Sequence, residues 1–165
     1  MTNGMGKTHK TYCLIGGGIG LLSAVSVACA AGSPLPVLRL LGAGAVLPPL
    51  WFMVLLWLGV YALAGASAGY LFACPPMGGE GEGKRWRGMT FLVLEVTFSF
   101  AWYSLFFGSF LLLPSWLCLL LSIASGAVCV LTWLPVCKAA AWMAAGATLW
   151  CLYVWVSQTV VILHN

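Results

Sequence analysis

The chain contains no aspartate, and its other charged residues are few: seven Lys/Arg and three acids among 165 residues. A soluble domain is about 25% charged; this chain is 6% charged and 62% hydrophobic, with mean hydropathy +1.04. So few charges cannot cover a water-facing surface, and the expected solvent is lipid. The shortage of acids also removes a class of chemistry. Hydrolysis by paired carboxylates needs two acids facing one bond, but Glu80 and Glu82 share one glycine-rich stretch and Glu95 stands alone. The two histidines, His9 and His164, lie at opposite ends. None of the seven cysteines forms a CxxC pair, and no histidine falls at ligand spacing from them. Neither a metal site nor a disulfide framework is therefore expected. A net charge of +4 without a basic, aromatic-interleaved stripe does not suggest nucleic acid as a partner.

What is abundant is long apolar runs. A spanning helix needs roughly 20 apolar residues, and five segments qualify, at about 11–32, 48–74, 89–112, 115–136 and 139–163. Pro34 and Pro36 follow the first, Pro48-Pro49 open the second, and Pro114 and Pro135 mark later turns. The stretch 75–88 reads as a polar, glycine-rich loop. Only helices or closed barrels satisfy backbone groups in lipid, and these lengths, without strand-like alternation, favour helices. The expected fold is all-α: a single five-helix membrane domain over residues 1–165. Lys7, Lys10 and the run ending Ala28-Cys29-Ala30 resemble a cleaved leader, but removing it would leave four helices, so the segment is read as a retained span. Gly16-Gly17-Gly18-Ile19-Gly20 lacks the preceding strand and downstream acid of a dinucleotide loop, so no cofactor is expected. Its Gly16-x-x-x-Gly20 spacing suits a close helix contact.

Basic residues set the expected orientation. Lys7, Lys10, Lys84, Arg85, Arg87 and Lys138 fall on one side and Arg39 alone on the other. That predicts a cytoplasmic N-terminus and an external C-terminus, with Lys84-Arg85-Trp86-Arg87 as topology signal and interfacial anchor. A short N-terminus without an Arg-rich transit peptide favours a bacterial cell membrane.

Residues three, four and seven apart share a helix face. Trp57, Tyr61 and Gly65 form one such stripe on the second helix. Glu95, Ser99, Trp102 and Phe106 form another on the third, and Gly146, Trp150, Tyr153 and Ser157 a third on the fifth. At 1.5 Å per residue, Trp57, Trp102 and Trp150 lie about 13, 15 and 20 Å below the external ends of their helices. Trp116 and Trp133 fit an interfacial belt, but those three are too deep for one. They either pack helix on helix or wall a pocket for a flat apolar ligand. Glu95, the one intramembrane acid, either reaches the headgroups or serves a site.

Several of these residues also carry a resemblance. Pro48-Pro49-Leu50-Trp51 followed by Trp57, Tyr61 and Gly65, then Ala101-Trp102-Tyr103-Ser104-Leu105-Phe106-Phe107-Gly108, then Ala141-Trp142 through Trp150 to Asn165, resemble the translocator protein or tryptophan-rich sensory protein family (TspO/MBR, peripheral-type benzodiazepine receptors). The motifs cover roughly residues 40–165 in order and spacing. The chain also departs from the family pattern. Residues 33–47 have no Trp-Tyr pair and no Lys-Pro-x-Trp run. The family's third-helix Gln and Asn fall on Glu95 and Ser99, its last-helix Pro-Tyr on Gly146-Ala147 and its last-helix Asn on Gln158.

The resemblance implies a membrane receptor for porphyrins or other flat apolar ligands such as sterols. It implies a pocket capped by residues 33–47 and lined by Trp51, Trp57, Tyr61, Ser99, Trp102, Phe106, Trp150 and Tyr153. It also implies light- and oxygen-dependent porphyrin breakdown through Trp57 and Trp150 as a side activity; no other enzyme activity is expected. Expected partners are the ligand, membrane lipid and a second copy of the chain. A small-molecule transporter and a structural membrane subunit are the competing readings.

Overall fold

The computed structural model describes residues 2–31, 50–75 and 78–164, and every regular element among them is helical. In chain order these are α1 (Thr2–Ala31), α2 (Leu50–Ala73), α3 (Gly79–Tyr103), a widened π turn (Ser104–Gly108), α4 (Leu112–Trp133) and α5 (Lys138–His164). All five helices are long and apolar enough to cross a bilayer. The protein is an integral, multi-pass membrane bundle of five helices, as its composition requires. Residues 33–47 and Pro48-Pro49 lie outside the described residues.

Several boundaries differ from the sequence reading; α1 begins at Thr2 and not near 11. α3 begins at Gly79 rather than near 89, so the polar stretch is the opening of a helix. Glu80 and Glu82 occupy its first turn, where carboxylates complement the helix dipole, and Glu80 pairs with Lys84 at 2.6 Å across one turn. At its far end α3 widens into the π turn, which brings both Phe106 and Phe107 against Trp102. Phe110 beyond it has φ 55, a left-handed conformation that is costly for an aromatic residue. Pro114 sits inside the first turn of α4, where no intrahelical amide bond is lost.

α1 packs almost entirely on α2, α2 also meets α5, and α4 lies between α3 and α5. Glycines make the α1–α2 contact. A Cβ on Gly16 would land on the carbonyl oxygen of Gly65, and one on Gly65 on that of Gly16. Gly20 is held as closely by the Tyr61 carbonyl and Gly69 by that of Tyr12. In lipid, where apolar tails compete equally for a helix surface, such close backbone approach is what holds helices together. The α3–α4 seam relies instead on small polar residues: Ser115, Ser122, Ser125 and Gly126 are all buried on α4.

One corner corrects two expectations. Trp133 is fully buried rather than interfacial, with its Nε1 donating to the Arg85 carbonyl at 3.2 Å and its ring filling the space above Gly88. Arg85 is buried as well. Its Nη2 donates to the carbonyls of Cys74 and Pro75 at 3.1 and 3.2 Å, and its Nη1 lies 3.5 Å from Glu82. Arg85 therefore ties the exit of α2 to the start of α3, beyond any topological role.

Candidate functional site

The three deep tryptophans come together. Trp57 and Trp102 are each 6% exposed, and the half-buried Trp150 packs against the cluster that contains them. Trp57 stacks on Tyr103 at 4.7 Å between ring centroids and meets Tyr61 edge-on at 5.0 Å. Trp102 stacks on Phe106 at 6.0 Å. Offset and edge-to-face pairs of this kind contribute about 0.5–1.5 kcal/mol each beyond area burial. Tyr61, Ser99 and Phe106 are buried in the same region. Trp51 stands apart at 65% exposed, next to Phe52. Tyr153 is 42% exposed and tilts against Trp150 at 5.5 Å.

The two indole N–H groups differ. Trp102 Nε1 donates to Gln158 Oε1 at 2.9 Å, while Gln158 Nε2 donates to Leu112 O at 3.0 Å and Ser115 Oγ at 2.7 Å. Gln158 thus binds α3, α4 and α5 together. Trp57 Nε1 is buried and makes no hydrogen bond of good geometry. Its only approach of that kind is to the Tyr61 hydroxyl, which already shares a hydrogen bond with Ser99.

Deeper in the bundle a polar spine crosses four helices. Tyr61 Oη and Ser99 Oγ share a hydrogen bond, Cys151 lies 3.9 Å from Ser99 and 3.6 Å from Ser122, and Ser122 Oγ donates to the Glu95 carbonyl at 2.9 Å. Glu95 is 2% exposed, so it does not reach the headgroups. Its Oε1 accepts from Thr148 Oγ1 at 2.8 Å, and its Oε2 is buried without a partner. Gly126 leaves the space: a Cβ there would sit 2.5 Å from Glu95 Oε1. The ion pairs among the described residues involve Glu80 and Glu82, not Glu95.

Sequence reasoning chose the inward face of α5 about one position off. The buried line is Ala144, Ala147, Cys151, Val154 and Gln158, not Gly146, Trp150, Tyr153 and Ser157. Gln158 and Cys151 were missed as site-forming residues. The polar character of Gln158 within an apolar run was the available signal.

A cleft of about 410 Å³ opens between α1, α2 and α3, with Gly16, Gly20 and Gly65 among its lining and Tyr61 and Phe100 where it reaches the aromatic cluster. The cleft has no wall from α5, and its relation to residues 33–47 falls outside the described residues.

The model of the TspO/MBR family matches residues 13–163. The chain belongs to the TspO/MBR family. No curated protein and no solved structure matches it. Membership in this family supports a general role in membrane ligand binding or transport. No group of three or more metal-ligating side chains that could hold an ion occurs among the described residues.

Proposed function

We propose that this TspO/MBR protein is a receptor for porphyrins or other flat apolar ligands such as sterols, held against the aromatic cluster of α2, α3 and α5. The observation that carries the reading is Trp57. Its ring forms one wall of the cluster, and its buried N–H has no well-aligned acceptor, only a poor approach to the Tyr61 hydroxyl, so a ligand carboxylate or carbonyl would satisfy it better than the fold does. Tyr61, Ser99, Trp102, Phe106, Trp150 and Tyr153 complete the proposed lining, with Trp51 at the entrance. Trp57 and Trp150 are also the proposed residues for light- and oxygen-dependent porphyrin breakdown. The N-terminus is proposed to be cytoplasmic, in a bacterial cell membrane; a tag after Asn165 should be cleaved by protease added outside intact cells. The Gly16 seam is used within the chain, so a homodimer would need another face.

Protoporphyrin should bind with micromolar affinity, about −8 kcal/mol. Trp57→Phe with Trp150→Phe keeps aromatic bulk and removes both N–H donors. The midpoint of tryptophan quenching by protoporphyrin should rise about tenfold or more, the equivalent of about 1.4 kcal/mol. An unchanged midpoint would place the ligand elsewhere.

Transport is a second reading, and one observation favours it: Glu95 holds a buried carboxyl oxygen without a partner, in a membrane helix where acids mark ion and proton paths. In the receptor reading, Glu95→Gln leaves protoporphyrin binding at pH 7 unchanged, and liposomes show no ligand-linked proton uptake. Uptake in the native protein that disappears in Glu95→Gln would replace the receptor reading with transport.

A further inference from the structure

Away from the aromatic cluster, at the end of the bundle where α2 ends and α4 turns into α5, two thiols face each other. Cys74 lies just past α2 and Cys137 just before α5, 63 positions apart in sequence. Their sulfurs are 2.8 Å apart. A disulfide bond is about 2.05 Å long, so bond formation asks for a shift of under about an ångström. Both residues are half-buried.

Each thiol sits on a fixed backbone. The Cys74 amide donates to the carbonyls of Tyr70 and Leu71, both at 3.2 Å, and its own carbonyl accepts from Arg85. The Cys137 amide donates to the Trp133 carbonyl at 2.8 Å, and its carbonyl accepts from Ala141 at 3.0 Å. Arg85 and Trp133 are themselves joined, through the Trp133 indole on the Arg85 carbonyl. The frames that carry the two sulfurs are therefore one connected structure. Thiols held this way react together far more readily than with a third.

We propose that Cys74 and Cys137 are a redox modification site that closes to a disulfide when a hydroperoxide reaches it. Burial pushes the Cys74 thiol up, so Cys137 supplies the attacking sulfur. Its thiol gives up a proton, the thiolate attacks a peroxide oxygen, an S–O bond forms, the O–O bond breaks, and the released hydroxide or alkoxide takes a proton and leaves as water or an alcohol. The second sulfur then attacks the sulfenic sulfur. The S–S bond forms, the S–O bond breaks, and the departing hydroxide takes the second thiol's proton and leaves as water. The peroxide is reduced by two electrons and the two thiols are oxidised by two. A dithiol reductant reverses the bond by thiol–disulfide exchange. Oxidation pins the exit of α2 to the α4–α5 turn, a restraint the sequence gives no hint of because the cysteines lack any motif spacing. The site is independent of the porphyrin reading.

The test uses the full chain in detergent micelles or nanodiscs, exposed to stoichiometric hydrogen peroxide and then alkylated, digested without reductant and mapped by mass spectrometry. One cross-linked peptide pair, Cys74 with Cys137, should dominate and should vanish with dithiothreitol. Cys74→Ser and Cys137→Ser should each abolish it, and Cys29→Ser, at an exposed α1 position, should not. Hydrogen exchange over residues 71–74 and 78–88 should slow on oxidation of the native protein. That measurement and the native cross-link map need no variant to fold. Separate alkylation of Cys74 and Cys137 after oxidation, or a dominant cross-link from either one to Cys13, would overturn the proposal.

Discussion

Gly65→Ala is expected to loosen α1 from the bundle. The added carbon would meet the backbone carbonyl of Gly16 and the Cα of Gly20, which lies 3.2 Å from that carbon position. Neither neighbour is the tip of a flexible side chain, so the two helix axes must part. Overpacking of this kind costs about 1–3 kcal/mol, and here it falls on a helix with little other support. Only 6% of the α1 span is buried. Leu14, Ile19 and Leu22 are all more than half exposed to the surroundings, at 75%, 62% and 68%. With 2–4 °C lost per kcal/mol at this size, the unfolding midpoint in detergent should fall by roughly 2–12 °C. Gly18, with nothing within 4 Å of its Cβ position, is the control: Gly18→Ala should leave the midpoint unchanged or raise it. Gly16→Ala combined with Gly65→Ala should cost less than the sum of the two, because the first separation already makes room for the second methyl. Equal midpoints for Gly18→Ala and Gly65→Ala would mean the seam does not hold α1.

That seam shows how far the sequence could be read. The Gly16-x-x-x-Gly20 spacing was visible and pointed to a close helix contact. Its partner, Gly65-x-x-x-Gly69, was visible too, but nothing in one sequence says which of several small-residue stripes meets which. The span count and the helical class followed from composition, since lipid leaves the backbone few alternatives. The deep tryptophans were legible for a related reason: depth along a helix can be counted in residues, and Trp57 and Trp102 could not be belt residues. Rotation could not be counted as well. On α5 an apolar stripe looks alike at neighbouring angles when lipid and core are equally greasy, and this moved the inward face from Gln158 and Cys151 to Trp150 and Tyr153. Trp133 failed for the opposite reason. Its distance from the helix end fits a belt, and only the partner surface, Gly88 and the Arg85 carbonyl, turns it inward. The start of α3 was hidden because four glycines within 78–83 read as loop, while the carboxylates in the first turn and the Glu80–Lys84 pair support a helix.

Replacing Gln158 should be at least as damaging as adding a methyl at the glycine seam, and it tests the aromatic cluster from the polar side. Gln158→Leu keeps the volume and removes three hydrogen bonds at once: from Trp102 Nε1, to Leu112 O and to Ser115 Oγ. In membrane proteins a single interhelical hydrogen bond contributes about 0.6 kcal/mol on average. Leaving a buried donor or acceptor unsatisfied costs about 1–3 kcal/mol. Gln158 is 4% exposed, and no lipid headgroup can stand in for it. Ser115 already donates to Leu112 O at 2.8 Å, so part of the loss is recovered there. Trp102 has no such second partner. The net destabilisation should be about 2–4 kcal/mol, or roughly 4–16 °C in the detergent unfolding midpoint. Gln158→Asn separates the two contributions. It keeps an amide but shortens the reach by one methylene, so it should hold one of the three bonds and fall between the native protein and Gln158→Leu. A freed Trp102 indole also alters the cluster, and protoporphyrin quenching should weaken in Gln158→Leu more than in Gln158→Asn. A midpoint for Gln158→Leu within a degree of the native protein would show that Trp102 is held by its ring contacts with Tyr103, Phe106 and Phe107 alone, and that the hydrogen-bonded knot joining α3, α4 and α5 carries no stability.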